Sequence, residues 1–465
     1  MSPTRSQKTK KQAQERILIV TNGHPDFSKG GVEMVAYGQF KELQKREDCE
    51  AMLLSALPMG PTESGTRLST RKPNEVLLST LESDWFKFSQ PHKPTVTWHF
   101  RELLETFRPT VVHFHHYVHL GIEILREARN YDPDLIIALT FHEFLALCNY
   151  NGQMVKRDTH KLCLDSNSSD CSACFPEHSP SDFFLRKLYI QSFFKLVDQF
   201  VSPSEFLMER YIEWGIPREK IRCMENGLAG VEYDQEASVK TRLSATAKKA
   251  DSKRNEPAST PTDRRGATLI RHREERNKKN LKSKRIGFFG QINPFKGVDI
   301  LLEALTLMRP SCQNQLSVSI HGGGLEIQPP DFQEKMQALL KQTEHRIQLV
   351  GPYEPRELPK LMGQIDWVIV PSIWWENSPV VIQEAYHYGH PVICSDIGGM
   401  KEKVIDGVTG IHFEAQNPQS LALILESIAE GEVSPQDFLA NLPSPVSFQT
   451  FALDHLEMYQ GLRQR

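Results

Sequence analysis

Two glutamates, Glu376 and Glu384, stand with seven residues between them in the run Trp374-Trp375-Glu376-Asn377-Ser378-Pro379-Val380-Val381-Ile382-Gln383-Glu384. The apolar residues 367–370 before them predict a strand and the residues from Val380 onward a helix, so Glu376 falls in the loop and Glu384 on the helix. Carboxylates so placed face one pocket at different depths, which suits a ligand with hydroxyl groups at both ends. Upstream, Gly290-Gln291-Ile292-Asn293-Pro294-Phe295-Lys296-Gly297 follows another apolar run and sets one ammonium group, Lys296, in a strand-to-helix loop. Near the N-terminus, Gly30-Gly31-Val32-Glu33 also joins a strand to a helix. There, bare backbone N–H groups and a positive helix end suit a diphosphate, with a plain tight turn as the competing reading. Histidines gather at two further strand ends: His113, His115 and His116 in one, His142 of Thr140-Phe141-His142-Glu143 in the other.

The glutamate segment resembles the E-x7-E signature of the retaining GT-B glycosyltransferases of family 4. That resemblance implies that Glu376 contacts the donor sugar and Glu384 the nucleotide ribose, with Asn377 and Ser378 beside them where many relatives carry Gly-Phe-Gly. Residues 290–297 look like the G-R-x-x-x-x-K-G stretch of the same family. Lys296 is then a point cation on the leaving diphosphate, and Gln291 stands where an arginine is usual. A neutral glutamine supplies no counter-charge, so another cation is expected to substitute, with Lys282, Lys284 and Arg285 as candidates. The Gly30-Gly31 amides and Gly322 of Gly322-Gly323-Gly324 are assigned to the donor's phosphate and base region. His142 matches the position beneath the donor sugar, His115 borders the acceptor, and His113 and His116 are read as strand-end filling. The implied catalytic set is His142, Glu376 and Lys296.

Positioning these residues requires repeated strand-helix units. Strands are expected at 17–20, 111–114, 135–140 and 199–202, with helices at 32–43, 96–107, 121–128 and 184–197. A second series has strands at 286–289, 316–320, 346–350, 367–370 and 392–394, with a helix at 298–308. Such alternation implies parallel, doubly wound sheets. The expected fold is α/β of the GT-B type, two Rossmann-like domains with an interdomain cleft. Its parts are a basic tail at 1–16, an acceptor domain at 17–232 with a Cys-rich insertion at 148–178, and a basic linker at 233–284. A donor domain at 285–445 and a C-terminal helix at 446–465 that packs back complete it. The aromatic and cationic stripe at 183–195 is read as core.

Cys148, Cys163, Cys171 and Cys174 form C-x14-C-x7-C-x2-C in a polar segment that needs a staple. A structural zinc is the favoured reading; paired disulfides, an iron–sulfur cluster and four unmodified thiols are the alternatives. No catalytic metal is expected.

Of 465 residues, 39% are hydrophobic and 24% charged, with a net charge of -3, which excludes global basicity of the kind that would demand a nucleic acid. The polar N-terminus lacks a signal-peptide core, and no stretch approaches a membrane span. A cytoplasmic protein is expected, with peripheral contact at the inner face of the membrane where anionic lipid would attract the basic linker. The expected activity is transfer of a sugar from a nucleotide-diphosphate sugar to a glycan or lipid-linked hydroxyl, with retention. The alternatives are a non-catalytic nucleotide-sugar-binding scaffold and a sugar-nucleotide epimerase.

Overall fold

The structure is a computed structural model that describes residues 15–28, 30–58, 67–231 and 284–464. The tail up to Gln14 and nearly all of the basic linker, Lys282 included, lie outside the described residues. The chain divides into two units, residues 1–229 with 446–465, and residues 230–445.

In the first unit, eight strands form one sheet: β1 Glu15–Thr21, β2 Cys49–Pro58, β3 Leu68–Lys72, β4 Glu75–Thr80, β5 Val111–Phe114, β6 Ile136–Thr140, β7 Gln199–Ser202 and β8 Ile221–Cys223. They run in the order β3-β4-β2-β1-β5-β6-β7-β8, parallel throughout except for the antiparallel pair β3 and β4. Strands such as β1, β5 and β6 are buried along nearly their whole length because helices cover both faces of a parallel sheet. β2, β3, β4 and β8 have no counterpart in the sequence reading. β2 is Cys-Glu-Ala-Met-Leu-Leu-Ser-Ala-Leu-Pro, rich in helix formers and without two-residue alternation, so only pairing with β1 and β4 makes it a strand.

The helix expected at 184–197 runs Pro180–Phe194, because Ser179 and Asp182 form a reciprocal capping box and Pro180 takes the first helical position. Its Phe183, Ile190, Phe193 and Phe194 are buried as expected of core, whereas Phe184, Leu185 and Leu188 face outward. Arg186 points inward at 3% exposure. Its guanidinium donates to three carbonyls, those of Phe86 (2.6 Å), Ala146 (2.7 Å) and Leu145 (2.7 Å), and lies over the rings of Phe86 and Phe88.

The last helix, Phe448–Arg463, belongs to this unit. Ala452, Leu456, Met458 and Tyr459 share a core with Ile17, Ile19, Ala36, Phe40 and Val111. Gly38 lets it approach, since a Cβ there would overlap the Phe448 ring.

The second unit carries β9 Lys284–Phe289, β10 Leu316–His321, β11 Ile347–Gly351, β12 Trp367–Val370, β13 Val392–Ser395 and β14 Gly410–Phe413. They are ordered β11-β10-β9-β12-β13-β14 and all parallel. Ile286, Phe288, Val318, Ile320 and Ile369 pack here against Leu301, Leu305 and Leu425. With the β3 edge set aside, both sheets follow the doubly wound order in which the direction of winding reverses at one point, between β1 and β5 and between β9 and β12. Ligands of such sheets bind outside the carboxyl ends of the strands at that reversal.

Candidate active site

The residues singled out from sequence sit at those reversals. Gly30 and Gly31 follow β1, His115 follows β5 and His142 follows the adjacent β6; the 290–297 run follows β9, and Glu376 lies in the loop between β12 and the helix Val380–His387.

In the second unit, Gly297 has a left-handed backbone (φ 67°), and a Cβ there would overlap the Pro371 carbonyl oxygen. The Phe295 carbonyl also accepts from the Ile373 amide at 2.9 Å. These close approaches bring two loops together and carry Lys296 to Glu376, whose Oε1 it meets at 2.6 Å. That same oxygen accepts from the Trp374 indole N–H and the Ser372 hydroxyl, both at 2.8 Å. None of the three donors touches Oε2. Burial alone would push the Glu376 carboxyl up, but the Lys296 ammonium and the two hydrogen bonds hold it below the ordinary range. Trp374 also stacks on Phe295 and lies under the Lys296 ammonium. Sequence reasoning assigned no role to Trp374 or Ser372; an N–H donor two residues before an expected catalytic carboxylate was the available signal.

Glu384 sits partly buried on the helix Val380–His387, and loss of solvation there pushes its carboxyl up to about 7. Asn377 and Ser378 are partly buried in the same loop as Glu376, and the Gly399 amide donates to the Glu376 carbonyl at 2.7 Å. Gly322 lies where a Cβ would overlap the Gly290 carbonyl oxygen, so its close approach serves loop packing. Gln291 is exposed. Of the cations expected to compensate for it, Arg285 pairs with Asp366 at 2.9 Å and Lys284 donates to the Ala429 carbonyl, so both are engaged at the start of β9. The ligand edge lies at the opposite end of that strand.

In the first unit, Gly31 starts the helix Gly31–Gln44, and a Cβ there would meet nothing within 4 Å, so packing does not demand glycine. Glu33 on the first turn is buried, which pushes its carboxyl up, and it lies within electrostatic reach of His116 and Glu143. A small cavity is lined by His115, His116, Thr140, His142, Glu143 and Tyr211. Burial drives the His142 imidazole down to about 4 and those of His113 and His115 well below the ordinary value, so all three are neutral at pH 7. His113 and His116 do more than fill strand ends. The former bonds Tyr459 and Thr140; the latter pairs through Nε2 with Glu143 and accepts the amides of Tyr117 and Val118 at Nδ1.

None of the eight cysteines forms a disulfide. Among the described residues, no group of three or more His, Cys, Asp or Glu side chains is arranged to hold a metal ion. No described helix is long and apolar enough to cross a membrane.

Two family models match this chain, Glycosyltransferase Family 4 over residues 29–229 and Glycosyl transferases group 1 over residues 271–442. The chain belongs to this glycosyltransferase family, with the GT-B pair of Rossmann-like domains. Among curated relatives, D-inositol 3-phosphate glycosyltransferase of Corynebacterium aurimucosum is 29% identical over 182 residues, 38% of this chain and 40% of that protein. That of Nocardia farcinica is 36% identical over 129 residues, 27% of this chain and 28% of that protein. The matches thus span less than half of either relative's length. Similar solved structures include Anabaena Alr3699/HepE in complex with UDP and glucose (TM-score 0.57, 16% identity, 96% of this chain and 100% of that one). Sucrose-phosphate synthase of Thermosynechococcus elongatus is also similar (TM-score 0.63, 14% identity, 97% and 99%). At such identities the likeness establishes the fold.

Proposed function

We propose that this glycosyltransferase moves a hexose from a nucleotide-diphosphate sugar to a glycan or lipid-linked hydroxyl with retention of anomeric configuration, at the cytoplasmic face of a membrane. The observation that carries the reading is the three-donor clamp on Glu376 Oε1, which leaves Oε2 to accept a sugar hydroxyl. In the proposed step the bond from C1 to the diphosphate oxygen breaks while the acceptor oxygen bonds to C1 on the same face. The acceptor proton passes to the departing phosphate. No covalent enzyme intermediate is invoked, so the chain's contribution is positioning and stabilisation of the leaving charge. Glu376 grips the sugar, Glu384 the ribose, Lys296 and the Gly30 and Gly31 amides the phosphates, and His142 orients the donor. A uridine diphosphate sugar is the first donor class to try, because a HepE structure is described as a complex with UDP-glucose.

Thermal melting against a panel of nucleotide sugars tests this, since binding stabilises the native state by RT ln(1 + [L]/Kd). Glu384 sets the pH dependence. Its carboxyl is raised from 4.5 to about 7, so the folded chain holds that proton more tightly than the unfolded chain. Folding stability therefore falls as pH rises through this window, and the penalty is complete above it. A ribose diol donating to the ionised carboxylate offsets the penalty. The ligand-induced shift should accordingly be larger at pH 8 than at pH 6, and Glu384→Ala should weaken binding about ten- to a hundredfold. No shift with any nucleotide-diphosphate sugar would sink the reading. Glycosyl transfer with inversion, seen by NMR of the product, would remove retention alone.

We also propose a structural zinc at Cys148, Cys163, Cys171 and Cys174. Amide-to-sulfur bonds of the kind that support thiolate ligands favour it: the Arg157 N–H donates to Cys174 Sγ at 3.4 Å, and the Tyr150 and Met154 amides face Cys148, offsetting part of the burial that pushes its thiol up. The thiols must close together to bind, since no three now share a centre. Purified protein should carry about one zinc per chain, and Cys171→Ser should lower both metal content and melting temperature. Metal-free protein with four alkylatable thiols would overturn the assignment.

A further inference from the structure

A continuous hydrogen-bond chain runs through the first unit from Thr140 to His142, the two ends only two residues apart in sequence. Thr140 Oγ1 bonds His113 Nε2 at 2.7 Å, and His113 Nδ1 bonds the Tyr459 hydroxyl at 2.6 Å. Tyr459 accepts from Gln39 Nε2 at 3.1 Å; Gln39 Oε1 meets His115 Nε2 at 2.7 Å; His115 Nδ1 meets His142 Nε2 at 3.0 Å. Gln39, His113, His115 and Tyr459 are each no more than 1% exposed, so these groups depend on one another for partners.

The amide of Gln39 has a donor end and an acceptor end, and that polarity propagates. Its oxygen requires a proton on His115 Nε2. A neutral His115 is then bare at Nδ1, and a bare Nδ1 requires the proton of His142 to sit on Nε2. In the other direction, the Tyr459 hydroxyl accepts from Gln39 and gives its proton to His113 Nδ1, leaving His113 Nε2–H to donate to Thr140. Every bond in the chain is satisfied by this one arrangement. Burial keeps these imidazoles neutral, so protonation does not scramble it.

We propose that Gln39 and Tyr459 are positioning residues that hold His142 in a single tautomer, with Nε2–H toward His115 and Nδ1 bare. The final helix, through Tyr459, thereby acts on a side chain more than 300 residues earlier in the sequence. The kinetic part rests on the role proposed for His142; the tautomer does not.

Two-bond 15N–1H spectra of the full-length protein with labelled histidine, assigned through loss of signal in His142→Ala, read the tautomer directly. Wild type should show His142 and His115 both protonated at Nε2. Gln39→Met should replace the His142 signal with a tautomer mixture and lower kcat about tenfold, with KM for the donor little changed. Tyr459→Phe removes one hydroxyl, keeps the ring, and should have the same effect more weakly, so a poorly folding Gln39 variant does not decide the matter. His142 protonated at Nδ1 in wild type, or a tautomer unchanged in both variants, overturns the proposal. Turnover that survives His142→Ala removes the role proposed for His142 and leaves the tautomer result standing.

Discussion

Glu376→Gln should lower turnover ten- to a hundredfold, mainly through kcat. The amide keeps the shape of the carboxylate but not its charge, so the three donors on Oε1 lose a charge-assisted acceptor and the Lys296 ammonium loses its counter-ion. Each such bond is worth about 1.5–3 kcal/mol. At the second oxygen an N–H group replaces an acceptor, so a donating sugar hydroxyl meets a donor. Lys296→Met should be similarly damaging, and the double variant should fall well short of the sum of the two because the residues act as one unit. Steady-state kinetics with the donor found by melting checks this. Unchanged kcat in both single variants would remove the pair from the site, and strict additivity would mean that the contact is incidental.

Arg186→Ala should destabilise the first unit by about 3–5 kcal/mol, a large fraction of a typical domain's stability. The side chain is almost fully buried, with no carboxylate partner among the described residues, and three carbonyls and two aromatic rings take up its donors and its charge. Truncation leaves those carbonyls unsatisfied and opens a cavity beneath residues 144–147, which lead into the cysteine segment. Arg186→Lys should recover little, since an ammonium cannot reach three carbonyls in the planar geometry of a guanidinium. Urea unfolding measures the loss. A change below about 1 kcal/mol would mean that water replaces the guanidinium at little cost.

The sequence made legible what is local. A strand, a loop and a helix within eighteen residues were enough to place Glu376 and Glu384, and the 290–297 run announced Lys296. Missing were groups whose meaning depends on partners far along the chain. Gln39 reads as an ordinary polar residue on a helix until His115 and Tyr459, 76 and 420 residues away, close around it. Arg186 looked like one cation in an aromatic stripe, because helical spacing does not say which face finds carbonyls. β2 was invisible for a different reason: a strand covered on both faces shows no alternation, and Ala, Met and Leu favour the wrong local structure.

The return of the last helix to the first unit carries a consequence for synthesis. A chain emerging from the ribosome presents residues 1–229 first, yet Ala452, Leu456 and Tyr459, which complete their core, arrive only after all of the second unit has been made. The first unit to appear is therefore the last to finish folding, and until then the surface around Ile17, Phe40 and Val111 stays uncovered, the kind of exposed apolar patch that chaperones bind. A chain truncated anywhere in its second unit would lack Ala452, Leu456 and Tyr459, so that patch would stay open and the histidine chain would have no Tyr459 to close it.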